Sequence, residues 1–133
     1  MIELPGAYSK GDFMPRISAA FFAFGTVCLL GGMTLGMIMG GSGDFTLMPA
    51  HAHLNLLGFV VMCAYGTFYA LTAATMNCKL AWANFALSAA GVIVIIPSLA
   101  IMLSGNTALE PLVAIGGLLS MLGLIVFAVS VFK

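Results

Sequence analysis

The chain has 133 residues; 62% are hydrophobic, 6% are charged, the mean hydropathy is +1.19 and the formal net charge is zero. A water-facing domain carries roughly 25% charged residues, so four basic and four acidic side chains cannot coat a soluble surface. A balanced charge likewise argues against nucleic-acid binding and against a polybasic membrane patch.

About 20 apolar residues cross a bilayer core as a helix. The chain holds four such runs, so the expected architecture is an all-α integral membrane four-helix bundle, a single transmembrane domain over residues 1–133. The first span is expected at about 17–39. It is too long for a signal-peptide core and no small-residue cleavage site follows, so a retained helix is expected. A turn cluster, Gly40–Gly41–Ser42–Gly43–Asp44, follows it.

The second span is expected at about 50–72, the third at about 80–103 and the fourth at about 111–132. Asn77–Cys78–Lys79 separates the second from the third, and Ser104–Gly105–Asn106–Thr107 the third from the fourth. Pro97 sits inside the third span and should kink it. Pro111 suits the first turn of the fourth. Cys28 and Cys63 lie in apolar runs and Cys78 near a loop; an odd count argues against a disulfide framework.

Lys10, Arg16, Lys79 and Lys133 all fall at one end of an up-down arrangement, whereas the other end has Asp44 and Glu110 and no base. By the positive-inside rule both termini should face the cytoplasm, in a bacterial inner membrane. Small residues at four-residue spacing mark close helix contacts in lipid. Gly32, Gly36 and Gly40 form one such stripe, Ala86 and Ala90 a second, with Ala83 one turn earlier on that face, and Gly116 and Ser120 a third.

The second span opens Pro49–Ala50–His51–Ala52–His53–Leu54–Asn55, with the only two histidines of the chain. Ionisable groups within a membrane span are costly and mark function. Residues i and i+2 of a helix point about 200° apart, so His51 and His53 should serve two sites, one on each flank. A single-ion chelate on a helix wants i, i+3 or i, i+4. Imidazole is a good axial ligand for haem iron, and haem fits flat between apolar helices. His51 continues along Asn55, Gly58, Met62, Tyr65 and Tyr69, and His53 along Leu57, Val60, Ala64 and Thr67. Glycine and alanine on these faces let a macrocycle come close. Met33, Met37, Met39 and Met48 raise copper(I) as a weaker alternative, because thioethers are soft ligands, but methionine in membrane helices is mostly filler.

The run Gly40–Gly41–Ser42–Gly43–Asp44–Phe45–Thr46–Leu47–Met48–Pro49–Ala50–His51–Ala52–His53–Leu54–Asn55–Leu56–Leu57–Gly58, with Met14–Pro15–Arg16–Ile17–Ser18 before it, resembles small four-helix membrane proteins related to subunit I of haem–copper oxidases and nitric oxide reductases. The likeness covers the first two spans well and the last two only by pattern. It implies that H-x-H holds two haems on opposite flanks of one helix. The oxidase subunit is built of three four-helix arcs, so three copies of this chain would make a ring. Three His51 and three His53 would then supply the axial ligands of three b-type haems between neighbouring copies. Haem propionates would meet the glycine-rich loop, Ser42 and Thr46.

The three further histidines of an oxidase copper site are missing, so oxygen or nitric oxide reduction of that type is unsupported. The expected function is a homotrimeric b-type cytochrome that transfers electrons, with the lipid bilayer, other copies of itself, and a quinol or cytochrome as partners. A haem or copper protein that senses or reduces a small gas is the alternative, and a cofactor-free assembly protein a further one.

Orientation is testable on a Cys78→Ser background. With an impermeant thiol reagent added from outside, Asp44→Cys and Asn106→Cys should label and Lys10→Cys should not. The reverse pattern would refute the assignment.

Overall fold

The protein is described here by a computed structural model covering residues 14–133; Lys10 lies outside them. Four helices are long and apolar enough to cross a membrane: α1 (Arg16–Ser42), α2 (Met48–Leu71), α3 (Cys78–Leu103) and α4 (Thr107–Val131).

Each boundary has a local cause. α1 runs past the expected end at Met39, through Gly40 and Gly41, and stops where Gly43 turns left-handed at φ 71° and returns its N–H to Met39 O at 2.9 Å. A glycine permits a turn without compelling one; the left-handed residue ends the helix. α2 begins with Pro49 in its first turn. α3 starts two residues earlier than expected because the Asn77 side chain accepts the N–H groups of Lys79 and Leu80, at 3.0 and 3.3 Å. α4 opens with a 3₁₀ turn, Thr107–Leu109, capped by Asn106. Pro97 lies inside α3, and the Ser98 hydroxyl beside it donates to Val94 O at 2.7 Å.

The helices run alternately up and down. Along α1 and α2, Gly36 meets His51, Gly32 meets Asn55, and Cys28 meets Gly58. Along α3 and α4, Ile95 meets Gly116, Gly91 meets Ser120, and Ser88 meets Gly123. Numbers that rise on one helix fall on the other, so both pairs are antiparallel. Arg16, Lys79 and Lys133 therefore share one end of the bundle, and Asp44 and Glu110 the other.

Small residues set the closeness of both pairs. A Cβ on Gly58 would stand 2.7 Å from Cys28 Cβ, and one on Gly116 2.7 Å from the Ile95 main-chain nitrogen. Without a hydrophobic drive between helices in lipid, such van der Waals contact is what holds them. Gly32 and Gly36 of the expected α1 stripe face α2, but Gly40 meets nothing within 4 Å. The Ala83–Ala86–Ala90 stripe is not the main packing face of α3. Ala83 and Ala86 are exposed, whereas Ala81, Asn84, Ser88, Gly91 and Ile95 are buried.

Phe21 ties the basic end together. Its ring lies 5.8 Å from Tyr65, 5.7 Å from Tyr69 and 5.1 Å from Phe85, and Phe127 of α4 stacks at 4.4 Å on Tyr65. All four helices thus meet in one aromatic cluster. α2 is not α-helical throughout: Leu56–Val60 forms a π turn, in which the Val61 N–H reaches back five residues to Leu56 O. That wider turn rotates everything after it relative to a regular helix.

The glycine contacts predict a contrast between neighbours. Gly116→Ala must push α3 and α4 apart and should cost about 1–3 kcal/mol, as overpacking does. Gly117→Ala meets open space within 4 Å and should be neutral or slightly stabilising. Thermal unfolding of the two variants in detergent, compared with the wild type, checks this.

Candidate functional site around His51 and His53

The two imidazoles lie on opposite flanks of α2. His51 is half-buried and turned toward α1, where its Nδ1 is 2.9 Å from Gly32 O. A Cβ on Gly36 would come within 2.9 Å of His51 Cε1, so only glycine leaves room for the ring. His53 is exposed, and its Nδ1 is 2.7 Å from Pro49 O, one turn earlier.

A carbonyl oxygen can only accept. Each ring must therefore donate through Nδ1–H, and in the neutral imidazole Nε2 is left as a lone pair. That is the tautomer in which a histidine binds a metal through Nε2, with its other nitrogen fixed by a second-shell acceptor. The two rings differ in what meets Nε2. On His51 the Asn55 side-chain amide stands 3.1 Å from it. No hydrogen bond from a described residue reaches Nε2 of His53.

His53 stands on the rim of a cavity of about 450 Å³ between α2, α3 and α4. Its walls are apolar, formed by Leu57, Val61, Ala64, Val92, Ile95 and Gly117 among others, with Tyr65, Ser88 and Ser120 as polar groups. The volume falls within the roughly 300–1,000 Å³ of small-molecule sites. Of the residues that continue the His53 face, Leu57 and Ala64 line this cavity, whereas Val60 and Thr67 are exposed and do not; Val61 lines it as well. The His51 stripe is the packed face: Gly58, Met62, Tyr65 and Tyr69 are buried, and Asn55 is half-buried. Gly58 is filled by Cys28 of α1, so that side leaves no flat surface for a macrocycle.

The loop residues are committed elsewhere. The Thr46 hydroxyl donates to Asp44 Oδ1 at 2.6 Å and the Thr46 N–H at 2.9 Å. Ser42 donates to Met39 O at 3.3 Å and accepts the Asp44 N–H at 3.2 Å. Both hydroxyls are thus spent inside the loop, around a carboxylate that would repel a propionate. The Thr46 hydroxyl, with its N–H second, holds the Asp44 carboxyl below its ordinary range.

Among the described residues no group of three or more His, Cys, Asp or Glu side chains stands close enough to hold a bare metal ion. The methionines do not share one environment: Met39 is 3% exposed, whereas Met33, Met37 and Met48 are exposed.

A polar thread that the motifs did not reveal runs below the groove. Asn84, fully buried, donates to the Tyr69 hydroxyl at 3.2 Å and accepts from Ser88 at 3.0 Å, and Tyr69 donates to Ser130 at 3.2 Å. It joins α2, α3 and α4. A lone asparagine inside an apolar span was its signal.

No family model, no curated protein and no solved structure matches this chain.

The loop supplies a pH prediction. A depressed carboxyl contributes stability above its unfolded-state value and loses it as pH falls through the folded value. The Asp44–Thr46 bonds should therefore hold at neutral pH and open only in acid, below the ordinary carboxylate range. Thr46→Val should move the Asp44 titration, followed by NMR, back up toward that range. An unmoved titration would rule out Thr46 as the cause.

Proposed function

We propose that this chain is a b-type haem-binding membrane cytochrome, assembled head to tail from identical copies and serving electron transfer. One observation carries the reading. Two imidazoles on opposite flanks of a membrane-spanning helix are each held by a main-chain carbonyl, through Nδ1, with Nε2 as the remaining ligand nitrogen.

Haem suits this donor set better than a bare ion does. The porphyrin supplies four nitrogens of its own, so the iron asks the protein for only one or two ligands. His53 fits as it stands, with an apolar groove beneath it and Gly117 and Ala64 in the wall. His51 has the right tautomer, but Asn55 covers its Nε2 and α1 packs against the ring. Haem with imidazole at both axial positions carries one electron and offers no open position to a gas.

Opposite flanks make a second copy necessary. One α2 cannot turn both imidazoles to the same iron, so the second ligand comes from a neighbour. A two-fold dimer pairs like with like and strands one histidine of each chain, whereas a closed head-to-tail ring uses all of them. The likeness to an oxidase subunit of three arcs sets the proposed ring at three. The positive-inside rule puts both termini in the cytoplasm, in a bacterial inner membrane, and a quinol or a cytochrome is the proposed redox partner. The Asn55 cover on His51 favours one second reading: iron held by His53 alone keeps a position open for a small gas.

An absorption spectrum of the purified protein separates these readings. A low-spin spectrum lost in both His51→Ala and His53→Ala supports paired ligation, a high-spin spectrum lost in His53→Ala alone supports the gas reading, and a wild-type spectrum in both variants refutes ligation here. In native mass spectrometry a haem-loaded trimer is expected, and a haem-loaded monomer would end the interface model.

A further inference from the structure

The cavity between α2, α3 and α4 has a floor whose polar groups are fixed in direction. Ser130 gives its proton to Val126 O, which can only accept, so Tyr69 must donate to Ser130. The Tyr69 oxygen then accepts from Asn84 Nδ2, and Asn84 Oδ1 accepts the Ser88 proton. Ser88 therefore offers the cavity it lines only lone pairs. Ser120 lines it too, and has given its proton to Gly116 O at 3.0 Å. Tyr65 is the opposite case. It is 4% exposed and lines the cavity, and its hydroxyl bonds to no described residue. The partnerless side-chain oxygens sealed inside protein, among the described residues, are Ser18 Oγ and Asn55 Oδ1. The Tyr65 hydroxyl is not one of them, so it opens onto space, and the space Tyr65 lines is the cavity. A hydroxyl proton without an acceptor is costly where no water reaches it.

The heights of these groups follow from the helices. Tyr69 meets Asn84. One turn toward the Asp44 end on each of the antiparallel α2 and α3 brings Tyr65 level with Ser88. Ser88 meets Gly123 and Gly91 meets Ser120. Three residues of α3 rise about 4.5 Å, so the Ser120 oxygen stands one turn above that of Ser88. The floor thus holds one donor and two acceptors within apolar walls.

We propose that this floor seats the head of a lipid-soluble quinol. A quinol ring carries hydroxyls at opposite ends, separated by nearly the rise of one helical turn. Each can donate to a serine oxygen, and either oxygen can accept from Tyr65. A hydrocarbon leaves all three groups unmet, and a simple alcohol reaches one serine. A quinone has carbonyls in place of the hydroxyls, so it accepts from Tyr65 but sets two acceptors against two. The site therefore selects the reduced form. His53 takes no part, because twelve residues of α2 place it about 18 Å from the level of Tyr65. The proposal rests on the electron-transfer reading for its purpose, but its geometry uses no haem.

The test is anaerobic calorimetry on the full chain in lipid nanodiscs, with empty nanodiscs subtracted. The probes are tetramethylhydroquinone, tetramethylquinone, tetramethylbenzene and decanol. The hydroquinone should bind about fivefold more tightly than the quinone, the worth of one ordinary net hydrogen bond, and more tightly than the other two. Tyr65→Phe keeps the ring against Phe21 and Phe127 and removes the donor. It should weaken the hydroquinone about fivefold. Ser120→Ala removes one acceptor and should weaken the hydroquinone but not the quinone, a split that lost packing alone would not give. Should Tyr65→Phe fail to fold, the Ser120→Ala split decides, and its absence overturns the proposal.

Equal affinity for all four probes means a groove that takes any apolar molecule, and overturns the quinol site. Decanol bound as tightly as the hydroquinone does the same, as does no binding above that of empty nanodiscs. An unmoved hydroquinone affinity in folded Tyr65→Phe overturns the placement at the floor. Haemin titrated into the same samples keeps the two readings apart. No haemin binding, with the hydroquinone preference intact, sinks the haem reading and leaves the quinol site. Haemin binding with no hydroquinone preference sinks the quinol site and leaves the haem reading.

Discussion

The close approach of α1 to α2 at Gly32 and Gly36 is the contact on which the rest of the site depends. With no Cβ on either residue, the His51 ring and the Asn55 amide enter the space between the helices, and Gly32 O comes within 2.9 Å of His51 Nδ1. In lipid no water would satisfy that ring nitrogen, so a main-chain carbonyl must. The same closeness sets the tautomer of His51. A helix pair held by larger side chains would leave the imidazole outside the seam and its proton unassigned.

The other half of the bundle is held by a different device. α3 and α4 close through Gly91, Gly116 and Gly123, each with a side chain or main chain of its partner where a Cβ would be. Phe21 and its aromatic neighbours then bind the basic end into one block, with the Tyr69–Asn84–Ser88 thread beside them. The groove under His53 lies toward the other end of the bundle. A packed aromatic floor, an apolar middle and an imidazole at the rim follow one another along α2.

The π turn at Leu56–Val60 links the two flanks. Below it α2 returns to regular geometry, with Val61 and Ala64 in the groove. The His51 stripe nevertheless stays on the packed side through Gly58, Met62, Tyr65 and Tyr69. A π turn next to a polar pair is a common companion of functional sites.

The four spans, their alternation and the gathering of Arg16, Lys79 and Lys133 at one end were legible in the sequence, because membrane helices are dictated by long apolar runs and by where charge interrupts them. The opposite flanks of His51 and His53 were legible too, since two residues of helix make about 200° whatever surrounds them. Other features were decided by tertiary structure. Gly32 and Gly36, not Gly40, receive α2; Ser42 and Thr46 turn inward on Asp44; Asn55 covers His51; and Asn84 finds Tyr69. Each of these is a pairing between residues distant in the chain or a choice among several acceptors. A linear pattern states which groups need partners, but only the packed helices determine which partner stands within reach.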